Sequence, residues 1–129
     1  MAATRILVDT SLLIDYFRKG NKSKAYLFQL WKENVLSIST ITEFEFLIGA
    51  REHHLPAVNK IMRRFDSIPF DSNCTEATVK IYKELKECNQ LISSLDILIA
   101  VTAIANDLPL ATLNQKHFEH IRFLKTVKL

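Results

Sequence analysis

The sequence predicts an α/β domain on a mainly parallel sheet of roughly five strands, flanked by helices in three layers. Two observations carry this. Short apolar runs alternate along the chain with stretches whose apolar residues recur every three or four positions, the periods of strand and helix. The chain also has 129 residues, of which 48% are hydrophobic and 24% charged. That is enough for one domain, spanning 1–129, with its own core and no metal or disulfide staple.

Taken in order, Arg5-Ile-Leu-Val8 is a clean apolar run stopped by Asp9-Thr10-Ser11, a buried strand leading into a helix N-cap. Leu12, Leu13, Tyr16 and Phe17 form a helical stripe that Gly20 can end. Ser23 to Trp31 is predicted as a second helix, and Val35 to Ser39 alternates as a strand does. Thr42 is expected to cap a third helix reaching about Glu52. A fourth carries Leu55, Val58, Ile61, Met62 and Phe65. Ser67 to Phe70 is a short strand whose Pro69 suits an edge or an end. The next helix puts Cys74, Ala77, Ile81, Leu85 and Cys88 on one face, with Lys80/Glu84 and Lys83/Glu87 on the other. Ser94 is expected to cap a helix, Leu95 to Ala105, that is apolar nearly all round and so buried on several sides. Leu110 to Leu113 and Phe123 to Val127 complete the strands.

Composition narrows the functional classes. Only Gly20 and Gly49 are present, too far apart for Walker A, GxGxxG or GxSxG loops. Cys74 and Cys88 fit no metal or redox spacing and suit a reducing compartment. No charged leader precedes an apolar stretch, and the longest near-apolar run, Ile97 to Ala105, falls short of the ~20 residues a membrane helix needs. The expectation is a cytoplasmic protein with no membrane partner. A net charge of +3 permits an anionic partner without demanding one. Lys19, Lys22 and Lys24, and the Arg63-Arg64 pair, are basic clusters that could attract an RNA backbone or simply be solvated. His53-His54 and His117-x-x-His120 lack zinc-site spacing.

Most acidic residues fall on solvated faces, Asp15 among them by its place on the first helix. Three stand elsewhere. Asp9 follows the first strand, Glu45 lies in the first turn of the helix after the second, and Asp96 opens the buried helix. In open parallel sheets ligands bind beyond the carboxyl ends of the strands, where helices begin, so all three could share one crevice. Clustered like charges need protons or cations to relieve them. Oxygen-only donors select hard ions such as Mg²⁺ or Mn²⁺, which can activate water against a phosphodiester. Each residue also has a plainer reading: Asp9 as an N-cap, Glu45 as the end of a Thr42-x-x-Glu45 capping box, and Asp96 as a dipole partner.

The chain resembles the PIN-domain ribonucleases of the VapC toxin type. Leu7-Val-Asp-Thr-Ser-Leu-Leu-Ile-Asp-Tyr-Phe17, Ile38-Ser-Thr-Ile-Thr-Glu-Phe-Glu-Phe-Leu-Ile-Gly49, Leu95-Asp-Ile-Leu-Ile-Ala-Val-Thr-Ala103 and Leu110-Ala-Thr-Leu-Asn-Gln-Lys-His-Phe118 carry the likeness, in the family's order. The resemblance implies a metal-dependent endoribonuclease acting on structured RNA such as transfer RNA, dimeric, and inhibited by a small antitoxin. It makes Asp9, Glu45 and Asp96 catalytic and metal-binding, with Thr10 and Ser11 offering hydroxyls beside them. Near the last strands the family often has Thr-x-Asn-x-x-Asp-Phe. Here Thr112 and Asn114 match and His117 stands in the acidic place. Asn114 offers a neutral oxygen to a bound water, and His117 can touch phosphate or base, or be an ordinary surface histidine.

Two alternatives belong to other classes. A receiver-like phosphoacceptor would use Asp71 after the third strand, although the paired acids and the Lys-Pro of such domains are missing. The absent fourth carboxylate keeps a catalytically inactive binding module open.

Overall fold

The computed structural model describes residues 4–129. Strand β1 (Thr4–Val8) leads into α1 (Thr10–Arg18), a 3-10 turn at Lys22–Lys24 and α2 (Tyr26–Glu33). Strand β2 (Asn34–Ser39), α3 (Thr40–Gly49), a 3-10 turn at Glu52–His54 and α4 (Leu55–Met62) follow. Then come β3 (Asp66–Ile68), α5 (Ser72–Glu87), α6 (Ser94–Ala105), β4 (Leu110–Ala111) and α7 (Gln115–Phe118). The strands form one parallel sheet in the order β3-β2-β1-β4, as the alternation of elements requires.

The sheet has four strands, not five. The expected strand at Phe123–Val127 is reduced to a single parallel bridge between Thr126 and Leu110, with Leu110 N–H on Lys125 O and Val127 N–H on Leu110 O, both at 2.8 Å. Phe123 sits at φ 67°, a left-handed conformation that no strand accommodates, so the extended segment begins only after it.

Alternate residues of β1 feed opposite cores, as a pleated strand must. Ile6 and Val8 join Leu12, Leu13, Leu27, Leu36, Ile38 and Ile61 under α1, α2 and α4. Leu7 joins Leu110, Leu85 and the buried residues of α6 under α5 and α6. Helix α6 buries Ile97, Ile99, Ala100, Val101, Thr102 and Ala103, which accounts for its nearly continuous apolar sequence.

Two helix starts differ from the sequence expectation, by three residues and by one. Ser39, not Thr42, caps α3, its hydroxyl accepting the Thr42 N–H at 3.0 Å. Ser93, not Ser94, caps α6 by accepting the Asp96 N–H at 3.2 Å. Runs of consecutive Ser and Thr supply several competent caps, and packing of the following apolar stripe chooses among them. Helix α1 ends at Arg18 with Lys19 extended, so Gly20 is not its terminator. Helices α5 and α6 close without glycine. Asn89 (φ 57°) and Asp107 (φ 52°) take the left-handed position, and Gln90 N–H reaches Leu85 O and Leu108 N–H reaches Ala103 O, the Schellman arrangement.

Asp71 lies past the sheet's edge strand β3 and caps α5, its Oδ1 accepting the Cys74 N–H at 3.0 Å. That bond holds its carboxyl below the usual carboxylate range. Its role is structural, which removes the phosphoacceptor reading. Asp15 is likewise not a freely solvated residue. Its side chain is 13% exposed, lies 3.7 Å from Lys19 and accepts the Tyr26 N–H that opens α2. No described helix is long and apolar enough to cross a membrane.

Candidate active site at the carboxyl ends of the strands

The sequence Val8-Asp9-Thr10-Ser11 turns from strand to helix, and that turn places three consecutive polar side chains at the carboxyl end of β1. Asp9 has the extended backbone of an N-cap (φ −76°, ψ 156°), yet its side chain makes no capping bond. Instead its Oδ2 accepts two hydroxyl protons, from Thr112 Oγ1 at 2.7 Å and Ser11 Oγ at 2.9 Å. The direction is fixed because an ionised carboxylate can only accept, and each hydroxyl oxygen in turn accepts a backbone N–H. Ser11 Oγ accepts the Leu113 N–H at 3.0 Å, and Thr112 Oγ1 accepts the Asn114 N–H at 3.0 Å. The result is a carboxylate 3% exposed, fixed in orientation, with no Lys, Arg or His within ion-pair distance among the described residues. A buried anion is costly unless charge or hydrogen bonds compensate it. Asp9 Oδ1 accepts no hydrogen bond from the described residues. It is also not sealed from solvent, since Ser37 Oγ is the sole buried unpartnered side-chain atom among them. One oxygen of this buried anion is therefore held and the other is open.

Thr10 takes a different partner and donates from Oγ1 to Glu45 Oε1 at 2.6 Å. This bond ties α1 to α3. It also removes the capping-box reading of Glu45: α3 begins at Thr40, so Glu45 belongs to its second turn. Asp96, in the first turn of α6, has a side chain 20% exposed, and its Oδ2 lies 3.4 Å from His117 Nδ1 on α7. Asn114 holds α7's N-cap position without a side-chain capping bond. The residues thus gather at one end of the sheet as two linked sets. Asp9, Ser11, Thr112 and Thr10-Glu45 form one, and Asp96 with His117 the other. Among the described residues no three His, Cys, Asp or Glu side chains approach closely enough to hold an ion unaided. The donor chemistry nonetheless fits a hard cation, because Asp9 keeps one carboxylate oxygen without a hydrogen bond and no cationic side chain neutralises it among the described residues.

The Thr10-Glu45 pair also walls a groove of about 400 Å³, whose rim carries Arg18, Arg51 and His54 and whose floor includes Phe17, Phe46 and Val58. The two arginines were not evident from the sequence as part of the site. The one signal for Arg18 is that it lies eight residues after Thr10, two turns along the same helix face. The basic clusters that were evident do other work. Lys22 Nζ donates to Tyr16 O at 2.7 Å and lies over the Tyr16 ring, and Arg64 stacks on Trp31 at 4.5 Å.

The PIN-domain family model matches residues 6–124. The chain belongs to the PIN-domain family, among its VapC members. It is 41% identical over 120 residues to Ribonuclease VapC1 of Methanocaldococcus jannaschii, covering 92% of this chain and 82% of that protein. The structure of VapBC2 from Rickettsia felis bound to a DNA fragment from their promoter superposes with a TM-score of 0.86 at 26% identity, covering 98% of this chain and 99% of that one. A toxin–antitoxin complex from Klebsiella pneumoniae matches with a TM-score of 0.74 at 28% identity, over 94% and 96% of the two chains. As a PIN domain, this chain has an α/β fold in which helices flank a parallel sheet of four strands.

Proposed function

We propose that this PIN domain is a divalent-metal-dependent endoribonuclease and the toxin of a toxin–antitoxin pair. The observation that carries the reading is the buried Asp9, one carboxylate oxygen fixed by two hydroxyls and the other open, in a chain 41% identical to a ribonuclease. Asp9 and Asp96 would hold Mg²⁺ or Mn²⁺. When bound, such a cation lowers the pKa of water and offsets charge gathering on phosphate oxygens. Glu45, anchored by Thr10 through Oε1, orients the attacking water and takes its proton at Oε2. Thr112 and Ser11 keep Asp9 in its productive rotamer, and the Asn114 amide offers a neutral oxygen to bound water. Arg18 and Arg51 on the groove rim pair with flanking phosphates of a structured RNA such as transfer RNA.

The partner protein follows from the same charges. A small antitoxin that inserts an arginine between Asp9 and Asp96 would replace the cation and silence the site. The exposed Phe44 and Ile48 on α3, 55% and 71% accessible, offer an apolar surface suited to a homodimer. Co-purification from the native operon should bring down a small protein with this chain. A lone monomer at micromolar concentration would remove the toxin reading and leave the nuclease reading intact.

The deciding experiment is cleavage of total RNA by wild type and Asp96→Asn in Mg²⁺ or Mn²⁺, with melts of both proteins. Loss of cleavage in a folded Asp96→Asn is expected, with Glu76→Gln, exposed on α5, as control. Cleavage unaffected by the substitution, or by EDTA in wild type, overturns the metal assignment. A folded wild type that cleaves nothing in either metal would mark an inactive binding module.

A further inference from the structure

We infer that His117 supplies an imidazole nitrogen to the cation held by Asp96, making a mixed nitrogen–oxygen site that favours Mn²⁺ over Mg²⁺. The inference rests on the proposed metal-dependent reading. It begins from chain placement. The Thr112 hydroxyl that fixes Asp9 also accepts the Asn114 N–H, and the His117 N–H in turn bonds Asn114 O at 3.0 Å. The start of α7 is therefore tied to the same hydroxyl that orients Asp9. From there His117 reaches the other carboxylate, its Nδ1 3.4 Å from Asp96 Oδ2. No other described side chain forms an ion pair with Asp96. Glu119, the nearest alternative acid on that segment, is taken up by His120 at 3.3 Å.

The separation itself is informative. N–H···O bonds fall at about 2.7–3.2 Å, so 3.4 Å is long for a direct one. Two donor atoms that share an ion, each at about 2.0–2.2 Å, lie roughly 3.0–3.4 Å apart. The imidazole is 59% exposed and the carboxylate 20%, which leaves room for an ion and its waters between and above them. The ring is unpacked enough to adjust, while its backbone is anchored.

The consequence is a change of metal preference. In an all-oxygen donor set a carboxylate would stand where His117 does. Replacing a carboxylate by imidazole removes one negative charge and one hard oxygen. Mg²⁺ relies on hard oxygen donors, whereas transition-series ions also accept imidazole nitrogen.

The test is Mn²⁺ electron spin-echo spectroscopy on the full chain at about pH 8, where free imidazole is neutral. Wild type should show ¹⁴N modulation from a directly bound imidazole, absent from His117→Ala and His117→Asp. The free Mn²⁺ signal should report binding about tenfold weaker in His117→Ala. In His117→Asp, Mg²⁺ should compete for the site about tenfold better than in wild type. Mn²⁺ bound to wild type without ¹⁴N modulation, but lost in Asp96→Asn, would overturn the inference and leave the metal reading standing. Modulation that persists in His117→Ala would assign the nitrogen elsewhere and overturn it too. No Mn²⁺ binding to wild type at millimolar concentration would remove both this inference and the metal-dependent function beneath it.

Discussion

Thr112→Val tests whether the hydroxyl network around Asp9 contributes to the stability of the fold as well as to its site. The substitution keeps the branched shape and deletes one oxygen. Thr112 is fully buried and Asp9 is 3% exposed, so solvent does not screen their 2.7 Å bond. A hydrogen bond to a charged group contributes about 1.5–3 kcal/mol. The Asn114 N–H also loses its acceptor, but Asn114 is exposed and water replaces that bond for about 0.5 kcal/mol. The expected loss is about 2–3.5 kcal/mol. For 129 residues the entropy of unfolding is roughly 0.27 kcal/mol/K, so the melting temperature should fall by about 7–13 °C. Thr112→Ser keeps the hydroxyl and removes a methyl, at about 1 kcal/mol or ~4 °C. The assay is thermal unfolding by circular dichroism on all three proteins in EDTA, which excludes metal effects. If Thr112→Val melts within ~2 °C of wild type, or Thr112→Ser melts as low as Thr112→Val, the hydroxyl is not compensating a buried charge.

Three further outcomes are expected. Asp71→Ala should lower the melting temperature at neutral pH. Because Asp71's folded carboxyl is held below 3.8 by the Cys74 N–H, its contribution is present above that value and vanishes as the pH falls through the folded pKa, so the two melts should converge in acid. A gap that is unchanged in acid would show that the cap does not act through its charge. Ellman's reagent should modify the exposed Cys88 rapidly and the buried Cys74, whose thiol burial pushes up from 9.0, only on unfolding; two equally fast thiols would contradict the packing of α5. Phe123 is 81% exposed at φ 67°, so Phe123→Gly should relieve backbone strain at little packing cost and stabilise the fold by ~1 kcal/mol, raising the melting temperature by about 4 °C; a lower melt would mean that the ring makes contacts worth more than the strain.

The sequence by itself determined the class of fold, the core and the acidic residues of interest. Those features are local. A strand such as Ile6-Leu7-Val8 declares itself by its apolar run, and α6 by its apolarity on every side, because burial selects residue type at each position independently. The strand-end position of Asp9 follows from the same local signal. Tertiary structure decided everything that depends on residues distant in the chain. Thr112, 103 residues from Asp9, spends its proton on that carboxylate, and no spacing rule predicts which of many buried threonines does so. Thr10 takes Glu45 away from a capping box that the sequence allowed. Asp71, which the sequence permitted as a phosphoacceptor, is drawn into α5 as its cap. The last strand is reduced to one bridge beside the two-residue β4, and its expected first residue, Phe123, takes a left-handed turn that its type does not favour. And His117, which its sequence neighbours left open between surface and site, is brought beside Asp96 by the docking of α7 against α6. Hydrogen bonds and ion pairs are directional and short-ranged, so their partners are chosen only once packing has brought the elements together.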